Sequence, residues 1–172
     1  MPPRASMQRL VRPRGDAHSE RVTFVELFFD LVFVFAVTQL AHHLVDTLTP
    51  AGILETAIML VAVWWVWMYT TWVTNWMDPE TGPVRGMLIV LMLLGLILST
   101  SIPEAFGDRA LGFACAYVAM QLGRTLFVAY AYAAVNRGNA LNLLRIAIWF
   151  AASAPLWIAG AILGGDAQVW PC

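Results

Sequence analysis

This 172-residue sequence predicts an all-α fold, a polytopic transmembrane helix bundle of about five antiparallel spans. Three observations predict it. Hydrophobic residues make up 60% of the chain and charged residues only 12%, whereas a soluble domain is about a quarter charged. So few charges cannot clothe a water-facing surface. The apolar residues gather in long blocks, and the mean hydropathy is +0.70, the pattern of segments that cross a bilayer. Short polar or breaker runs separate the blocks, and short connections make neighbouring helices antiparallel.

Residues 1–20 are rich in Pro, Arg and polar groups and read as a disordered basic cytoplasmic tail. Arg4, Arg9, Arg12, Arg14 and Arg21 cluster there, and the chain contains no Lys. A basic cluster before a first span is the positive-inside signal, which outweighs a nucleic-acid reading. The apolar stretch after it holds Glu26 and Asp30 and shows no small-residue cleavage site beyond His42 and His43, so the first span is not a secretory signal.

The transmembrane region covers 21–165, with spans at about 22–45, 53–76, 86–102, 110–135 and 141–163. A helix needs roughly 20 apolar residues to cross the hydrocarbon, which leaves the third block near the lower limit. The links after the first, second and fourth spans are Thr49-Pro50-Ala51-Gly52, Asp78 to Pro83, and Asn136-Arg137-Gly138-Asn139; Pro103 closes the third span. Arg85, Arg137 and Arg145 fall on the side of the tail, so the N-terminus is expected in the cytoplasm. Trp72 and Trp76 suit an interfacial belt. Trp64, Trp65 and Trp67 lie deeper, and their indole N–H groups need partners. Pro155 inside the fifth span should kink it. The last residues, 166–172, read as a truncated end or the start of a further segment.

Ionisable groups within spans cost about 2.5–3.5 kcal/mol each on insertion scales, so each needs a reason. Glu26 and Asp30 are four apart and share one helix face. Counting back from Val135 at ~1.5 Å per residue puts Arg124 roughly 16 Å from the cytoplasmic edge, close to the depth of Asp30. The expectation is an Asp30–Arg124 ion pair, with Gln121 beside it and Glu26 nearer Arg145 or Arg85. A second polar cluster is expected near the outer face, from Gln39, His42, His43 and Glu55. Adjacent histidines point about 100° apart on a helix, so interfacial hydrogen bonding is favoured there over a shared metal. Cys115 and Cys172 make neither a disulfide framework nor a zinc site.

The sequence has no Gly-rich phosphate loop, no nucleophile elbow and no metalloprotease helix motif. Without Lys it cannot carry retinal as a Schiff base. The expectation is a non-enzyme with no cofactor and no metal, whose surroundings are the lipid bilayer and not nucleic acid. Two functions fit the polar network. One is a transporter or channel-like protein with Glu26, Asp30 and Arg124 along a polar path. The other is a membrane scaffold or sensor in which the same residues only clamp helices together.

Five segments resemble a known family in the order in which it carries them: 26–42 (ELFFDLVFVFAVTQLAH), 63–75 (VWWVWMYTTWVTN), 103–108 (PEAFGD), 121–127 (QLGRTLF) and 144–149 (LRIAIW). They resemble the N-terminal half of the bacterial low temperature requirement protein A (LtrA) family. The resemblance implies a multi-pass protein of the bacterial inner membrane. It also implies that the partner of this chain is the missing C-terminal half or another copy. It supplies no chemical activity.

Overall fold

The structure is a computed structural model that describes residues 10, 23–133 and 135–166. The expected basic tail, apart from Leu10, and the segment after Asp166 lie outside the described residues. Five helices are long and apolar enough to cross a membrane: α1 (Phe24–Asp46), α2 (Pro50–Trp76), α3 (Gly82–Ser101), α4 (Ala110–Ala133) and α5 (Arg137–Asp166). A short 3-10 turn, Ile102–Glu104, follows α3. The chain is an all-α, multi-pass membrane bundle, and the described residues contain no strand.

Local chemistry sets the helix limits. Thr23 and Glu26 form a reciprocal capping box at the start of α1, the Thr23 N–H donating to Glu26 Oε2 at 2.9 Å and the Glu26 N–H to Thr23 Oγ1 at 3.3 Å. Thr49 caps α2 by accepting from the Gly52 N–H at 3.1 Å, with Pro50 at the first helical position. Helix α3 begins at Gly82, earlier than the expected 86, because Pro83 sits in its first turn and tolerates the missing N–H there. Asn136 Oδ1 accepts from the Gly138 and Asn139 N–H groups at 3.0 and 3.3 Å and so opens α5. That helix is continuous through Pro155. The hydroxyls of Thr38, Thr56, Thr70, Ser99 and Thr125 each donate to the carbonyl four residues back. None of these is left unsatisfied in the apolar interior.

The core is a seam between α1 and α3, closed by α2 and α4. Phe29, Val32, Phe33, Ala36 and Leu40 of α1 are buried against Leu88, Leu91 and Leu98 of α3 and Met120 of α4. Gly95 makes the α1–α3 approach possible: a Cβ there would lie 2.9 Å from Val32 Cγ1. Leu10 also belongs to the core, and its carbonyl accepts from the Asp78 N–H at 2.9 Å. Helix α5 packs chiefly on α4 and is the least covered of the five, with Trp149 and Leu156 72% and 75% exposed. Such apolar exposure suits lipid contact.

Candidate intramembrane polar site

The buried face of α4 runs through Phe113, Tyr117, Gln121, Arg124 and Val128, at helical spacing. Apolar at one end, it becomes polar in the middle. Arg124 is the largest fully buried side chain, 1% exposed. At ~1.5 Å per residue it lies about 14 Å from the Ala133 end of its helix. Its Nη1 donates across to α2, to the Val66 carbonyl at 3.0 Å and to Thr70 Oγ1 at 2.9 Å. Its Nη2 donates to Gln121 Oε1, and Gln121 Nε2 in turn donates to the Tyr117 hydroxyl at 3.2 Å. The guanidinium carbon lies 5.2 Å from the centre of the Tyr69 ring, within cation–π range. Its buried Nε has no hydrogen-bond partner.

Every group that Arg124 touches is thus neutral. The expected Asp30–Arg124 ion pair is corrected: none forms. Asp30 Oδ1 instead accepts from the Trp67 indole N–H at 2.8 Å. The two side chains reach the same turn of α2, one at Trp67 and the other at Val66 and Thr70. Each bonds to that turn without meeting the other. The Trp67 contact also supplies the partner that a deep indole requires.

Glu26 is not set toward Arg85 or Arg145 as expected. Its carboxylate takes the N–H and hydroxyl of Thr23, while Arg85 and Arg145 form no ion pair with a described residue. Arg145 is exposed on α5. The structure therefore brings Gln121 and Arg124 together, as expected, and separates both from Glu26, Asp30 and Arg145.

At the opposite end of the bundle, the expected outer cluster is partly assembled. His43 Nε2 of α1 lies 3.8 Å from Glu55 Oε2 of α2. The nitrogen is buried and has no hydrogen bond. Gln39 lies one turn away on the same helix, half-buried, while His42 is exposed. Among the described residues no three His, Cys, Asp or Glu side chains converge as a metal site. Between α3 and α4, Arg109 pairs with Glu104 at 3.1 Å, both exposed.

Sequence reasoning did not single out Thr70, Tyr69 and Tyr117 as members of the Arg124 site. A signal for the first two was present: Tyr69 and Thr70 lie beside the deep tryptophans of α2, where a polar group invites a cross-helix partner.

The comparisons agree with this architecture. Residues 21–172 match the family described as bacterial low temperature requirement A protein (LtrA). An uncharacterized protein of Rhizobium meliloti (strain 1021) is 42% identical over 142 residues, which cover 83% of this chain and 35% of that protein. The chain therefore spans about a third of the length of that curated relative. No solved structure matches. With five spanning helices in place and the match running from the first of them to the last residue, the chain belongs to the bacterial low temperature requirement A protein family.

Proposed function

We propose that this is a transporter- or channel-like protein of the bacterial inner membrane, not an enzyme, and that Arg124 attracts an anionic solute on its way through the bundle. The observation that carries this reading is the buried guanidinium with neutral partners only and an unpartnered Nε. Arg carries its positive charge at neutral pH. A cation inside the hydrocarbon is expensive and marks ligand or ion paths. If its role were only to join helices, a carboxylate partner or an apolar side chain of similar volume would serve better. In this reading the N-terminus is cytoplasmic, which is supported by Arg85, Arg137 and Arg145 toward the end where α1 begins and by the pairing of Arg109 with Glu104 at the other end. A second set of helices, or a second copy of the chain, would complete the path.

A second reading has its own support. The two bonds from Arg124 to Val66 and Thr70 tie α4 to α2, which touch little elsewhere. In that reading the protein is a scaffold or sensor and Arg124 is a clamp.

Flux of chloride, nitrate and acetate into proteoliposomes separates the two. The transport reading expects uptake above empty vesicles, lost in Arg124→Gln and partly kept in Arg124→Lys, with helix content unchanged. Uptake that survives in Arg124→Gln would take the site off the path. No uptake in the wild type, together with an Arg124→Gln variant that merely unfolds earlier, would favour the clamp.

A further inference from the structure

Two cavities, of about 280 and 370 Å³, lie side by side between α2 and α5 and share Ile58 and Trp157. Together they form one groove with α4 as its floor. Its outer section is bounded by Phe113 and Gly160, its deeper one by Trp65 and Tyr117. The walls are almost wholly apolar and rich in aromatic rings: Trp157 lies 4.5 Å from Tyr117 and 6.5 Å from Phe113, ring centre to ring centre. In the deeper section Tyr117 brings a hydroxyl to walls that are otherwise apolar and aromatic. The Tyr117 hydroxyl accepts from Gln121, and its own O–H has no acceptor among the described residues. Behind it stands Gln121, which donates to that hydroxyl and accepts from the Arg124 guanidinium in turn.

An apolar channel that ends on a free O–H donor, with an uncompensated cation behind it, complements a molecule with an apolar body and one anionic head. We propose that the groove binds a small aromatic or short aliphatic carboxylate, its body held against Trp157 between α2 and α5 and its head accepting from Tyr117 in the field of Arg124. This rests on the reading of Arg124 as a group that serves an anion.

Each cavity lies near the lower end of the ~300–1,000 Å³ of drug-sized sites, so each section takes about one ring or a short chain. A resident phospholipid fits poorly, because the O–H donor of the groove belongs to Tyr117, two turns into α4, whereas a lipid keeps its head at the surface. Hydrated inorganic anions gain nothing from the aromatic walls.

The test is equilibrium binding of tritiated 3-phenylpropionate to the purified chain in lipid nanodiscs, with 3-phenylpropanol and 3-phenylpropylamine as competitors. The acid should bind about tenfold or more tightly than either competitor, because the site is built to pair its head. Tyr117→Phe, which keeps the ring, should remove most of that preference. A Cβ at Gly160 meets open space, so Gly160→Leu should fill the outer section and abolish binding without lowering the melting temperature. Equal binding of acid and alcohol, or full binding in Gly160→Leu, would overturn the proposal. If phenylpropionate does not bind while Arg124-dependent flux of small anions persists, this inference fails and the transport reading stands. If it binds with the Tyr117 and Gly160 dependence described, but no anion crosses, the site stands and transport falls.

Discussion

Replacing Trp67 by Phe keeps an aromatic body in α2 and removes one indole N–H, leaving Asp30 without its 2.8 Å donor. Hydrogen bonds to charged groups contribute about 1.5–3 kcal/mol in proteins generally, but polar bonds between membrane helices average about 0.6 kcal/mol and reach about 1.7. Asp30 is only half-buried, so water or lipid headgroups replace part of what is lost. The expected cost of Trp67→Phe is therefore about 1–2 kcal/mol, or about 5–30-fold in the unfolding equilibrium. Asp30→Asn keeps an acceptor oxygen for the indole and should cost less. In the Asp30→Asn background the cost of Trp67→Phe should fall, giving a coupling of about 1 kcal/mol. The control cycle pairs Asp30→Asn with Arg124→Gln. These two residues share no bond, only a turn of α2, and should couple by no more than about 0.5 kcal/mol. Both cycles can be read by reversible unfolding in mixed detergent and SDS micelles, followed by helix circular dichroism. A coupling between Asp30 and Arg124 larger than that between Asp30 and Trp67 would refute the partner assignment and restore the ion pair.

Two further substitutions test the packing and the Arg124 site. Gly95→Ala gains up to about 1 kcal/mol of helix propensity, but its Cβ would meet the stiff Val32 side chain at 2.9 Å. Overpacking costs about 1–3 kcal/mol, so the variant should be less stable by thermal unfolding in detergent, and adding Val32→Ala should recover part of the loss; a Gly95→Ala protein as stable as the wild type would show that α1 and α3 are not in close contact. Thr70→Val keeps the shape of a fully buried side chain and removes one of the two acceptors of Arg124 Nη1. The Val66 carbonyl remains, so the same assay should register a loss of about 1–2 kcal/mol and not the larger loss of an abandoned charge.

Which parts of this protein were legible in its sequence follows from which properties are local. Whether a segment can cross a bilayer depends on its length and on the absence of charge, both properties of a run of neighbours. So the five spans are readable from composition, and their helical state follows because backbone polar groups in lipid must pair within the segment. The ends are equally local: Thr49 and Asn136 act through bonds to residues no more than three away, and Pro50 and Pro83 through a missing N–H that a first turn tolerates. The capping box of Thr23 and Glu26 is of this kind too, and its spacing is plain in the sequence. The charge of Glu26 within an apolar run points equally to a distant cation, and only its place in the first turn marks the cap.

The partners of Asp30 and Arg124 were not legible, for a different reason. Counting residues along a helix measures depth, and depth alone made the two look like neighbours. It carries no information about the direction in which each face points once five helices are packed. In the assembled bundle Asp30 turns to Trp67 and Arg124 to Val66 and Thr70, on one turn of α2. For α1 that azimuth comes with its seam against α3, where the two approach closely at Gly95. The groove between α2 and α5 has the same origin, since it exists only because α5 leans on α4 and leaves α2 uncovered beside it. Hydrophobic length is a sum over consecutive residues and survives in one dimension, whereas the meeting of side chains depends on helix rotation and crossing, which arise only when the helices pack.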